Sequence, residues 1–151
     1  MPTTDSSAVT FRSATETDAE ALMALERDTN LVALAHVFPD VPYPEDDVRN
    51  RWLQLIADPE VTVEVVGPSE RLEVYLAYDA VRLRHLGVSP ERWGEGLGRA
   101  AVDRAVGTRR LWVLADNEQA RGFYAQLGWR PTGRAQTAEW PPRPTELEYA
   151  R

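Results

Sequence analysis

Apolar positions along this chain repeat with two periods, one of two residues and one near 3.6, and the changes between them mark the elements. Val9 and Phe11 alternate with polar neighbours and predict a first strand. Thr17 and Glu20 have the spacing of a capping box, opening a helix that carries Leu22 and Leu25. Pro39, Pro42 and Pro44 then forbid an uninterrupted helix, so residues 30–47 form a long connector of the kind that commonly carries function. Val48, Trp52, Leu55 and Ile56 follow at i, i+4, i+7 and i+8 and predict a second helix, stopped at Asp58-Pro59. Residues 61–66, 72–78 and 80–88 are strand-like runs joined by hairpin-length gaps at Gly67-Pro68-Ser69-Glu70 and near Asp79, which predicts an antiparallel meander.

The meander ends at Ser89-Pro90, and a glycine-rich turn, Gly94-Glu95-Gly96-Leu97-Gly98, opens a helix with Leu97, Ala101, Val102, Ala105 and Val106 on one face. Residues 111–115 are apolar throughout, which predicts a strand buried on both faces. Asp116 or Asn117 caps a short helix bearing Ala120, Phe123, Tyr124 and Leu127, and Gly128 ends it. A strand from Trp129, a proline-rich loop at 140–144 and an alternating run at 146–149 complete the chain. The glycine turn is its most pointed chemical feature. Glycines leave backbone N–H groups unshielded, the first turn of a helix has four such donors without intrahelical partners, and the aligned peptide dipoles favour an anion there, naturally a phosphate or pyrophosphate.

Composition narrows the classes. With 151 residues, 43% of them hydrophobic, and no repeat or linker, one domain spanning 1–151 is expected. The net charge of −7 argues against nucleic acid as a partner and favours an amine-bearing one. There is no cysteine, so disulfides, thiolate metal sites and a cysteine nucleophile are excluded. All 17 basic residues are arginine, which removes P-loop and Schiff-base lysine chemistry. Two histidines, His36 and His85, do not make a multi-histidine metal centre. No leader-like or membrane-spanning run is seen, so a soluble cytoplasmic protein is expected, without metal or membrane partner.

The order strand, helix, helix, three-strand meander, glycine turn and helix, strand, helix, two strands resembles the GNAT superfamily of N-acetyltransferases over almost the whole chain. Two segments carry the resemblance. Leu86-Gly87-Val88-Ser89-Pro90-Glu91 with Gly94-Glu95-Gly96-Leu97-Gly98 is similar to the family's acetyl-CoA pyrophosphate loop. Asn117-x-x-Ala120-x-x-Phe123-Tyr124, with Gly128-Trp129 beyond, is similar to its second cofactor segment. The resemblance implies a mixed α/β fold, a central, mostly antiparallel sheet of six or seven strands with about four helices on its faces. It also implies acetyl-CoA as cosubstrate, bound by Leu86, Gly87, Val88, Trp93, Gly94, Glu95, Gly96, Leu97, Gly98, Arg99 and Asn117. Tyr124 matches the family's general acid, and a small-molecule or peptide amine would be the acceptor, attacking the thioester directly because no cysteine can hold an acyl group. A homodimer meeting through the Trp140 loop is also open.

Two positions depart from the family pattern. Trp93 stands where the family usually has Gln or Arg, with Arg92 one residue earlier; whether Arg92 or Arg99 meets a phosphate is open. The family's base lies four or six residues ahead of the valine matching Val88, and those positions are Arg84 and Arg82. Strand alternation puts His85 on the opposite face. An amine with a pKa near 10.4 needs about 4–5 kcal/mol to be neutral at pH 7, and ordered water is then the expected route for its proton. Acids in the connector (Asp40, Glu45, Asp46, Asp47) would attract a cationic amine, whereas Arg82 and Arg84 would bind an acceptor carboxylate.

Each residue also has a structural reading. Asn117 serves as a helix cap, Tyr124 and His85 as packed residues, and residues 45–47 as the solvated first turn of a helix, while His36 in the connector is a candidate base or binder. Gly96-Leu97-Gly98-Arg99-Ala100-Ala101 also fits a Rossmann dinucleotide fingerprint. Against an NAD(P)-dependent oxidoreductase, Ser89–Arg92 separate strand from turn, an antiparallel meander precedes it, and about 50 residues remain. A non-catalytic acyl-CoA sensor of the same fold is the other alternative.

Overall fold

In the computed structural model, which describes residues 9–36 and 42–151, seven strands form one sheet in the order β1-β2-β3-β4-β5-β7-β6. β1 (Arg12–Ser13), β2 (Thr62–Val66), β3 (Val74–Tyr78) and β4 (Arg82–Val88) are successively antiparallel. β5 (Arg110–Leu114) joins β4 in parallel, and β7 (Thr145–Ala150) runs antiparallel between β5 and β6 (Arg130–Thr137). α1 (Ala19–Ala33) and α2 (Glu45–Ala57) press Leu22, Leu25, Val48 and Trp52 onto Val63, Val65, Tyr75 and Ala77. On the other face α3 (Leu97–Arg104) and α4 (Glu118–Gln126) bring Leu97, Ala101, Val102 and Tyr124 against Leu76, Leu83, Leu111 and Tyr149. This mostly antiparallel sheet with four helices is the expected fold. The N-terminal residues 1–7 and the connector acid Asp40 lie outside the described residues.

The first strand is Arg12–Ser13 and not Val9–Phe11, α1 runs on to Ala33, and Val106 lies exposed beyond α3; three further local expectations change. The capping box is made by Thr15 and Asp18 in place of Thr17 and Glu20. Asp18 accepts the Thr15 amide at 2.8 Å around one 3-10 turn, and Glu20 instead turns outward to Arg49. The strand at 111–115 is not buried on both faces: Leu111 and Val113 are enclosed, but Trp112 and Leu114 are only half-buried, because α1 and α2 stop short of β5.

The third concerns β4. Its register against β3 runs Leu76 to Leu86 and Ala77 to His85, then Tyr78 to Leu83, so Arg84 is an inserted residue, a β-bulge. Leu83 and Leu86, three apart, therefore share the α3/α4 core. His85 consequently falls on the same face as Arg82, which simple alternation assigns to opposite sides: His85 packs on Trp52 of α2, and Arg82 lies over Trp112.

Asp18 ties three segments together. Its carboxylate is fully enclosed and accepts from both terminal nitrogens of Arg12 (2.8 and 2.9 Å), the Thr15 amide and the Ser69 hydroxyl (2.8 Å). The Arg12 pairing, aided by Thr15 and Ser69 and opposed by burial, holds this carboxyl far below the usual range. The unfolded carboxyl takes up a proton near pH 3.9 while the folded one does not, so the stabilisation is complete above about pH 4 and is lost as pH falls below it. We expect Asp18→Asn to cost about 1–3 kcal/mol in urea titrations near pH 7, discounted for the partly exposed Arg12, and to flatten the acid slope. An unchanged slope would exclude Asp18 as its source.

Candidate functional site

The site begins where two strands part. β4 and β5 pair only at Arg82–Arg110 and Leu83–Leu111; beyond these, β4 runs on to Val88 with no partner on that side. The Ser89 amide donates to Glu73 on the β3 side at 2.8 Å, so by alternation the Leu86 and Val88 amides face the other way, into the gap.

The glycine turn sits at the mouth of this gap. Gly94 and Gly96 have φ of 84° and 82°, the left-handed region that a side chain disfavours, and Gly96 is the residue from which α3 starts. Among the described residues, no amide from residue 94 through 99 donates to a protein acceptor. The turn is fixed from behind. Arg92 pairs with Glu73 (2.7 Å) and Glu95 (3.0 Å), and the Trp93 indole donates to the Val88 carbonyl at 2.8 Å. Trp93 thus anchors the loop to β4, which accounts for an indole at its variable position. Gly98 admits the Phe123 ring: a Cβ there would lie 3.1 Å from it.

These residues enclose a cavity of about 420 Å³, and Leu86, Gly87, Val88, Trp93, Gly94, Gly96, Leu97, Gly98, Arg99, Asn117 and Tyr124 all line it. Glu95 does not, its carboxylate being turned to Arg92. Arg92 is committed to two carboxylates, while Arg99 has no partner among the described residues. The Asn117 carbonyl oxygen accepts the Ala120 amide at 3.1 Å, so Asn117 caps α4 and keeps its side-chain NH2 for other use. Tyr124 is buried against Phe123 and Trp129, and its hydroxyl makes no hydrogen bond among the described residues. Burial raises that phenol above its usual pKa, so it carries a proton throughout the physiological range.

A second cavity, about 780 Å³, lies beyond the gap under the connector and the β6–β7 loop. Asn30, Tyr75, Leu86, Asn117, Ala120 and Tyr124 belong to both, so two phenols stand at the junction. Tyr75 lies across Gly87: a Cβ on that glycine would be 2.2 Å from Tyr75 Cζ. Arg82, Arg84 and His85 line the second cavity, but Arg82 is paired to Glu148 (2.9 Å) and Arg84 to Asp79 (2.7 Å). Burial, and then the nearby Arg51 and Arg84, push His85 well below the usual imidazole pKa, so it is neutral.

The three acids in the first turn of α2 are turned away. Glu45 pairs with Arg27 (3.2 Å) and Asp46 with Arg49 (2.7 Å), and Glu45, Asp46 and Asp47 line neither cavity. His36 donates through Nε2 to the Asp116 carbonyl at 2.9 Å, clasping the connector to the turn before α4. Sequence reasoning missed Tyr75, Glu26, Arg51 and Tyr43, which line this cavity as well. Only Gly87, opposite Tyr75, hinted at the first.

A row of amides without protein acceptors among the described residues is thus joined through parted strands to a second chamber. The model of the acetyltransferase (GNAT) family matches residues 3–129, and the chain belongs to that family. A mycothiol acetyltransferase of Kytococcus sedentarius is 46% identical over 52 residues, a match covering 29% of this chain and 18% of that enzyme. The apo-form YjaB of Escherichia coli superposes with a TM-score of 0.73 at 21% identity, covering 94% of this chain and 96% of that one. The PaiA N-acetyltransferase of Thermoplasma acidophilum, solved with coenzyme A, gives 0.65 at 15% identity over 95% and 99%.

The Tyr75–Gly87 contact makes a direct prediction. Because Trp52 holds the Tyr75 ring edge-on at 5.3 Å, the ring cannot yield freely. Gly87→Ala should cost about 1–3 kcal/mol in urea unfolding, and clearly less in a Tyr75→Ala background. Strict additivity would show that the two residues do not collide.

Proposed function

We propose that this protein moves the acetyl group of acetyl-CoA to a primary amine by direct attack, as a single cytoplasmic domain. One observation carries the reading: a row of amides without protein acceptors, residues 94–99, opens beside a gap between β4 and β5 that leads past Tyr124 into a second chamber. Such amides at the start of α3 suit a diphosphate, and the Arg99 guanidinium is available beside them. The pantetheine arm would follow β4 through the gap, meeting the amides of Leu86 and Val88, and the Asn117 side-chain NH2 would meet the cofactor from α4. The coenzyme A bound by PaiA, a protein of the same fold, supports this choice of ligand.

The amine would approach from the second cavity. Its nitrogen forms a bond to the thioester carbonyl carbon, the carbon–sulfur bond breaks, and the departing sulfur takes the Tyr124 proton. An amide donor in the gap would stabilise the oxygen that gains charge. The two family base positions are arginines paired to carboxylates, and of the described carboxylates lining the second cavity Glu26 is held by Arg51 and Trp52, Glu146 bonds Gln136, and Glu139 stands on the exposed rim. The amine's proton therefore leaves through water.

Tyr124→Phe should lower kcat ten- to a thousandfold while calorimetry shows acetyl-CoA affinity unchanged. An unchanged kcat would remove Tyr124 from the chemistry. Acetyl-CoA binding without acceptor-dependent thiol release from any amine would favour the sensor alternative.

A further inference from the structure

We infer that the acceptor carries a carboxylate besides its amine, and that Arg51 and Arg84, flanking His85 in the second cavity, read it. The inference rests on the acetyl-transfer reading of the site and specifies its substrate class.

The argument is one of unmatched donors. Arg51 comes from α2 and spends one terminal nitrogen on Glu26; its guanidinium carbon lies 5.1 Å from the Trp52 ring centre and 5.2 Å from that of Trp140. Its Nε is enclosed without a partner, and Nη1 has none among the described residues. Arg84, on the β4 bulge, bonds Asp79 only through Nε, and both its terminal nitrogens lack partners among the described residues. Both cations are near enough to His85 to act on its titration, and that imidazole, half-buried and neutral, adds no charge of its own.

The carboxylates of the same cavity are largely spoken for. Glu26 accepts from Arg51, the Trp52 indole (3.1 Å) and Tyr43 (3.4 Å), and Glu146 accepts from Gln136 (2.9 Å). Glu139 stands on the exposed rim. Of the described acids expected to draw a cation, Glu45 and Asp46 pair outward with Arg27 and Arg49, and Asp47 lines neither cavity. A protonated amine thus meets only Glu146, held by an amide, and Glu139 on the rim, whereas an anion meets the unspent donors of two guanidiniums, each paired once. Arg51 is already immobilised between indoles, so little freedom is lost when it binds, and the planar fork matches a carboxylate. With the amine at the Tyr75–Tyr124 junction and the anion at Arg51 and Arg84, one bifunctional molecule spans the chamber.

Two sources supply this chemistry: a free amino acid or short peptide, and an acidic side chain near a protein's N-terminus. The test follows thiol release from acetyl-CoA with amino acids and dipeptides against their C-terminal carboxamides, and with N-terminal peptides bearing Asp against Asn. We expect kcat/KM at least tenfold higher for the carboxylate member of at least one set, and which set it is distinguishes the sources. Arg84→Gln, at a partly exposed position, should bring that ratio towards one by raising KM for the carboxylate compound, with acetyl-CoA affinity retained; Arg51→Lys should keep part of the preference. Equal or better use of the uncharged partners, or an unaltered ratio in Arg84→Gln, overturns the inference and leaves acetyl transfer intact. No thiol release with any amine, despite acetyl-CoA binding, overturns the transfer reading itself and the inference with it.

Discussion

The structure depends on the refusal of two neighbouring strands to stay paired. β4 and β5 share two residue pairs and then separate, and both cavities open along the parting. β4 is held on its other side by β3 and β5 is held on its other side by β7, so neither needs the other to satisfy its fold. The backbone polar groups left facing the gap are the cost of this arrangement, since unpaired amides away from water are unfavourable. A ligand that supplies acceptors along that edge removes the cost. The loop after β4 extends the same logic, because residues 94–99 offer six further amides where the helix dipole favours an anion.

Keeping those amides available takes rigid support. The indole of Trp93 reaches back to the last carbonyl of β4, Arg92 bridges Glu73 and Glu95, and Phe123 fills the space that a side chain on Gly98 would take. Side chains flanking the loop therefore bind to one another and leave its amides without protein acceptors among the described residues. The same division appears around the second cavity. A chain with no lysine places guanidiniums against indoles, Arg51 between Trp52 and Trp140 and Arg82 over Trp112, where each is oriented yet keeps donors unspent. The chamber consequently has fixed polar edges and apolar walls such as Leu55, Leu83 and Leu111.

The order of elements and the anion turn were legible in the sequence because each rests on local rules: apolar period, proline stops, glycine at positive φ. Where the reading slipped, the deciding contact was distant. Whether Asp18 or Glu20 closes the first cap is settled by Arg12 and Ser69, the latter some 51 residues away. The bulge at Arg84 has no composition signal, yet it moves His85 onto the face of Arg82 and so changes which side chains share a chamber. Residues 111–115 look doubly buried because Trp112 is apolar, but its partner is a guanidinium and not a helix. Tyr75 and Arg51 were invisible as site residues, since a strand aromatic and a helical arginine resemble ordinary surface and core until α2 is laid over the sheet.

The central claim is that bare backbone amides at the start of α3 hold the diphosphate of the acyl carrier. Amide-resolved NMR during titration with coenzyme A tests it most directly. The account predicts that the resonances of residues 94–99 move most, and that a pantetheine fragment lacking the diphosphate leaves them largely in place. Binding of coenzyme A with those amides unmoved, or moved equally by the fragment, would contradict it.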